Sequence, residues 1–303
     1  RRPPFTTRRR PLLPYTTLVR SGAARRYADA EKIFRDIGAN LGLANTLLEL
    51  GDLGMRRADL DGAARLYADA EKIYRDIGAN LGLANTLVEL GDLAMRRADL
   101  DGAARHYADA EKIYRDIGEN LGLANTLKAH GDLGMRRADL DGAARRYADA
   151  EKIYRDIGEN LGLADTLRAL GNLAMRRDDL DGAARRYADA EKIFRDIGAN
   201  LGLANTLVEL GDLAKRRNDL DGAARHYADA EKIYRDIGEN LGLANTLHSL
   251  GELDIRNRNL EGADRHLAEA EEICRRINYP QGLALVQEAQ SRLQSMLSSK
   301  GGD

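Results

Sequence analysis

The sequence has no tryptophan, one cysteine and five prolines, four of which fall before residue 15. A single cysteine excludes an intramolecular disulfide framework and leaves the compartment open. No apolar run approaches the length of a membrane span. The glycine patterns G-x-G-x-x-G and G-x-x-x-x-G-K are missing, as are H-E-x-x-H and any cysteine pair. These absences leave no residue set that recommends an enzyme, a nucleotide cofactor or a metal. Aromatic residues are only 5% of the chain, and most of them recur at a fixed interval.

That interval is what the sequence does contain. Displaced by 40 residues the chain falls on itself, with glycines at Gly22, Gly62, Gly102, Gly142, Gly182, Gly222 and Gly262. The units beginning at Gly62 and Gly102 differ at six of 40 positions. A period of this size marks one supersecondary unit stacked many times, because a single unit cannot bury its own apolar face.

Each unit reads as two helices. Gly78 supplies a left-handed helix end and Asn80 is expected to cap the helix that follows. In the last unit Asn278 and Pro280 take those two places. Helix A is predicted from about Leu81 to Arg97, with Leu87, Leu90, Gly91 and Ala94 on one face. Asp99 caps helix B, in which Leu100, Ala103, Tyr107, Ala110, Tyr114 and Ile117 step by three and four to form a packing seam. Gly91 costs roughly 1 kcal/mol of helix propensity, so its recurrence predicts a close approach between helices.

Leu90-Gly91 in helix A, followed by Ala103, Tyr107 and Ala110 in helix B, resembles a tetratricopeptide repeat (TPR) stretched beyond the usual 34 residues. The departures are Leu87 where that family often has Trp, Ala94 where it often has Tyr, and no proline ending helix B. The 40-residue form is similar to repeats of Pins-type adaptors, kinesin light chains and bacterial signalling scaffolds, from Gly22 to about Gly282. The resemblance implies an all-α, right-handed α-solenoid of antiparallel helix pairs. It is specific for fold and weak for partner, because the matching positions are packing positions.

The organisation expected is a tail over residues 1–21, an array over 22–282, and a capping helix with a short tail over 283–303. The first segment holds six arginines and no acid; without it 41 basic residues face 49 acidic ones, a net of −8. It stands where a helix A belongs and reads as a disordered or non-native tail, the other reading being a basic arm for an acidic partner. At the other end Leu285, Val286, Ala289, Leu293, Met296 and Leu297 share one face. Gln287, Glu288, Gln290, Ser291, Arg292 and Gln294 lie largely opposite, as a cap requires. Net acidity argues against nucleic acid. Glu111 with Arg115, like Lys112 with Asp116, gives helix-stabilising pairs worth a few tenths of a kcal/mol. Of the histidines, His130 replaces a seam leucine and is read as a satisfied buried imidazole, while His248 and Glu252 sit one turn apart. Cys274 is read as an inert seam thiol.

The TPR resemblance places a concave, partner-binding wall on helix A, at Asn85, Val88, Asp92, Met95 and Arg96. The same wall continues with Asn125, Lys128, Asp132 and Arg136, then Arg168, Asn172 and Arg176. Spacings of 3, 4, 3 and 1 agree, since they put these residues on one face. The Arg and Asp positions are almost constant, whereas Leu48, Val88, Lys128, Arg168, Val208 and His248 vary. One reading is a polar ladder that holds an extended peptide, with Lys128 and Arg168 as a local basic spot. The other is a solubilised, empty groove. A different class of function is a structural protein whose units stack end to end between molecules into a filament.

Overall fold

The structure, a computed structural model, describes residues 15–300. Among them are fourteen helices and no strand. Helix B of successive units is α1 (Tyr15–Asp36), α3 (Leu60–Asp76), α5 (Leu100–Ile117), α7 (Leu140–Ile157), α9 (Leu180–Asp196), α11 (Leu220–Ile237) and α13 (Leu260–Arg276). Helix A is α2 (Asn40–Arg56), α4 (Asn80–Arg96), α6 (Asn120–Arg136), α8 (Asn160–Arg176), α10 (Asn200–Arg216), α12 (Asn240–Arg256) and α14 (Pro280–Lys300). Turns of two or three residues join them, and the fold is the expected all-α solenoid of helix pairs.

The chain divides into two compact units, Arg1–Leu133 and Gly134–Asp303, with the boundary inside α6. In the first, α1 to α5 pack each on the next, and α2 also meets α4. In the second, α7 to α13 do the same, α8 meets α10, and α14 lies against both α12 and α13.

The seam forms as the spacing predicts, around one tyrosine per repeat. Tyr107 is buried among Ala94, Ala103 and Leu133, and Tyr67 among Met55, Ala63 and Leu93. In the second unit Tyr187 packs with Ala183 and Leu213, and Tyr227 with Ala214, Ala223 and Leu253. Each ring contributes about 2–3 kcal/mol by burial. Gly91 is where the ring lies: a Cβ there would stand 2.4 Å from Tyr107 Cε1. Its cost in helix propensity is thereby offset. Ile117 departs from expectation and stays exposed, because it closes helix α5 at the turn rather than within the seam.

The helix ends differ in detail from the sequence reading. Gly78 is left-handed at φ +70°, as expected. Asn80, however, is the first residue of α4 rather than its cap; Ala79 holds the cap position and makes no side-chain bond. The turn is one residue shorter than the cap assignment needed, since the Asn80 amide already donates to the Gly78 carbonyl. Where glutamate replaces that alanine it does cap: Glu159 accepts from the Leu161 and Gly162 amides. Asp99 caps α5 through the Gly102 amide, as predicted. The helix A elements from α2 to α12 also end in a left-handed residue that the sequence did not announce, at Ala58, Ala98, Ala138, Asp178, Asn218 and Arg258.

Both chain ends begin earlier than expected. Residues 1–14, most of the expected tail, lie outside the described residues, but 15–21 belong to α1. Between Pro14 and Gly22 every residue has an amide donor, so nothing stops helical hydrogen bonding before Tyr15. Helix α14 starts at Pro280, where the missing amide is harmless. It buries Val286, Ala289 and Leu293, but Leu285 and Leu297 stay exposed, so its apolar face is narrower than the pattern suggested.

Candidate functional site

The wall positions of helix A do not stand clear of the seam, since Val88 and Met95 pack against the cluster that holds Tyr107. On α4, Asn85 and Arg96 are exposed, and Val88, Glu89, Asp92 and Met95 are half-buried. On α6, Asn125 and Arg136 are exposed and Lys128 and Asp132 half-buried. On α8, Arg168 and Asn172 are half-buried and Arg176 exposed.

The near-constant wall residues are engaged within the chain. The Tyr107 hydroxyl, at the far end of its buried ring, donates to Asp92 Oδ1 at 2.5 Å. Tyr67 bonds Asp52 at 2.7 Å, Tyr187 bonds Asn172 at 2.6 Å, and Tyr227 bonds Asp212 at 2.5 Å. A second row joins the same pairs of helices, with Tyr74 on Asn45 at 2.6 Å, Tyr114 on Asn85 and Tyr234 on Asn205 both at 2.5 Å. Burial, with Glu119 and Glu89 nearby, pushes the Tyr114 hydroxyl up to about 12. Burial also raises Asp92, against the pull of the Tyr107 bond and Arg96.

The recurring arginine ties one repeat to the last. Arg96 donates to the Met55 carbonyl at 3.3 Å, Arg176 to Met135 at 3.1 Å and Arg216 to Met175 at 2.9 Å. These carbonyls lie in the last turn of the preceding helix A, where each also accepts from the amide of Ala58, Ala138 or Asp178. Two exceptions show the logic. Where Phe194 removes the hydroxyl of the second row, the matching asparagine becomes Asp165, which turns to Arg168 at 3.5 Å. Where Leu267 replaces the seam tyrosine, the acid becomes Glu252, now bonded to Arg292. These paired substitutions were readable in the sequence, and the interpretation of Asn85 and Asp92 as free groups missed them.

The variable positions have individual partners. Lys128 Nζ lies 3.0 Å from Asp132 Oδ2. Arg168 reaches the next repeat, 3.0 Å from Glu209 Oε1, to which Asn172 also donates at 3.0 Å. Asn172 therefore serves both Glu209 and Tyr187. Both expected basic residues carry carboxylate partners of their own. Burial pushes Glu209 up and Arg168 pulls it back; Glu209 Oε2 and Arg168 Nε have no partner.

Two clefts open on the wall. One, of about 360 Å³, lies in the first unit between α4 and α6, lined by Leu81, Asn85, Val88, Glu89, Leu121 and Asn125 among others. The second, of about 560 Å³, lies in the second unit and is lined by Lys215, His248, Glu252, Leu285, Glu288 and Arg292 among others. Burial lowers His248, which sits 3.7 Å from Glu252. His130 is buried as expected, its Nδ1 2.6 Å from Glu111 Oε1. The Glu–Arg pairing seen at Glu71–Arg75 and Glu191–Arg195 gives way there to the imidazole. Cys274 is buried, and burial pushes its thiol up. Among the described residues no group of three His, Cys, Asp or Glu side chains could hold a metal.

These helix pairs define a TPR-like repeat protein. A sequence model of the soluble NSF attachment protein (SNAP) matches residues 19–170, half of the chain, and the chain belongs to that family. A comparison with curated protein sequences finds no match. Solved structures are similar in fold. A signal-transduction ATPase with numerous domains, carrying a tetratricopeptide repeat sensor, from Pyrococcus horikoshii aligns at TM-score 0.74 and 17% identity, over 96% of this chain and 45% of its own. BtubC from P. vanneervenii aligns at 0.65 and 20%, over 74% and 93%. A Rap protein complexed with competence and sporulation factor aligns at 0.59 and 12%, over 95% and 89%.

Proposed function

We propose that the chain is a non-enzymatic scaffold that binds an extended peptide or protein segment along the helix A wall. The array carries the wall, and the last helix, α14, caps it. The observation that carries this reading is the division of labour among wall residues. Asn85, Asp92, Arg96, Asn172 and Arg176 maintain the array, which leaves Val88, Lys128, Arg168, Val208 and His248 free to differ between repeats. Two of these differing positions, Val88 and His248, line the clefts. A family described as an attachment protein, and a similar Rap fold crystallised with its factor, support a protein or peptide partner. An acidic array gives no footprint for nucleic acid, and no described helix is long and apolar enough to cross a membrane.

The alternative, end-to-end stacking into a filament, is favoured by α1, whose Ile33 and Ile37 are 57% and 68% exposed. Against it, the outward face of α14 presents Gln287, Ser291 and Gln294, all exposed. Wall binding is tested by selecting a displayed random-peptide library on the chain with a photo-crosslinker at Val88 or, on helix B, at Arg105. Capture from Val88 and not from Arg105 is expected. Capture from Arg105 alone, or from neither, contradicts the proposal.

A further inference from the structure

The repeat places the same glutamate in two settings. Glu209 receives a guanidinium from Arg168, one repeat back on the wall, at 3.0 Å, and an amide from Asn172 at 3.0 Å. Three repeats earlier its counterpart is Glu89, and the positions of Arg168 and Asn172 are held by Leu48 and Asp52. Among the described residues Glu89 makes no hydrogen bond or ion pair. Its surroundings are the carboxylates of Asp52 and Asp92 and the guanidinium groups of Arg56 and Arg96. Neither acid helps it, and the Arg96 guanidinium donates to the Met55 carbonyl. Burial and the two acids push Glu89 up to about 7. A half-buried carboxylate with no hydrogen bond or ion pair is costly, even with the Arg56 and Arg96 guanidinium groups in the vicinity, and a cation docked directly on it relieves that cost.

Glu89 also lines the cleft of about 360 Å³, whose other walls include Val88 and the exposed Leu81 and Leu121. Apolar walls leading to a carboxylate suit a long side chain with an aliphatic stem and a charged head. The neighbouring polar groups are committed elsewhere, Asn85 to Tyr114 and Glu119 to the Gly122 amide.

We infer that the wall of α4 around Glu89 is a receptor for an arginine side chain of an extended partner segment, its guanidinium paired with Glu89 as that of Arg168 is with Glu209. This rests on the proposed wall binding and deepens it, and it reverses the acidic partner that a basic spot at Lys128 and Arg168 would have called for. Arginine rather than lysine is indicated because the internal example is a guanidinium, whose planar donors bridge a carboxylate and a second acceptor such as Asp52.

The test uses peptides from a displayed random library that crosslink at Val88, resynthesised with each arginine replaced by citrulline, its uncharged isostere. The arginine forms are expected to bind the full chain about tenfold or more tightly than the citrulline forms at low salt. Glu89→Gln and Leu48→Arg should each abolish that preference, the second by supplying the guanidinium from within. Glu89→Gln removes only a charge, so the result does not hinge on whether Leu48→Arg folds. Peptides that crosslink at Val88 but bind equally as citrulline, or equally to Glu89→Gln, overturn the arginine receptor and leave wall binding standing. Failure of every peptide to crosslink at Val88 overturns both.

Discussion

Glu89 and Glu209 occupy one repeat position in two electrostatic states, and the unpaired one has a measurable cost. Burial, reinforced by Asp52 and Asp92, raises Glu89 from the ordinary carboxylate range to about 7. The folded state therefore holds this proton more tightly than the unfolded state. Stability from Glu89 is present at acid pH and is lost as pH rises through about 7. Glu89→Gln should leave the melt at acid pH almost unchanged and raise it above pH 7, by about 1–2 kcal/mol after discounting for water at the half-buried site. A variant whose melting temperature follows the parent at every pH contradicts the assignment. At this scale much was legible. The buried tyrosines followed from spacing, and His130 from its replacement of a leucine. The partners of Asn85 and Asp92 were not seen, because a hydroxyl at the far end of a buried ring lies 29 or 15 residues away from them. The exchange of Tyr for Phe194 alongside Asn for Asp165 was the available signal.

At the scale of the element, the helices from α1 to α13 each end in a left-handed residue, but the chain uses glycine after helix B, except at Asn278, and other residues after helix A. Gly78 closes helix B at φ +70°, and Ala98 closes helix A at φ +59°. An alanine there pays for its Cβ in a conformation that glycine adopts freely. Ala98→Gly should therefore raise stability by about 0.5–1 kcal/mol, and Gly78→Ala should lower it by about 1 kcal/mol. Paired thermal melts check this, and a loss in both variants would show that Ala98 is held by contacts rather than strained. This contrast also explains the limits of sequence reading. A glycine after a helix announces a left-handed end; an alanine does not. The cap was misplaced by one residue for a related reason. Asn80 is a good capping residue, but the Gly78 turn puts it already inside the helix, and Glu119, Glu159 and Glu239 reveal the cap position only once the backbone is known.

At the scale of the molecule, the 40-residue period carries the fold through both compact units, and this was the most legible feature of all. The partner was not, because near-identical repeats spend their constant residues on one another. The proposed function therefore assigns recognition to the few positions at which repeats differ. The claim that follows is that contacts are made along the wall and not by the ends. Helix α1 leaves Ile33 and Ile37 exposed, but α14 offers Gln287, Ser291 and Gln294 in return, and burying polar amides against an apolar face is unfavourable. Sedimentation velocity over a wide range of protein concentration, with negative-stain microscopy of the same samples, tests this most directly. The account predicts one discrete species whose sedimentation coefficient does not grow with concentration; filaments that lengthen as concentration rises would contradict it.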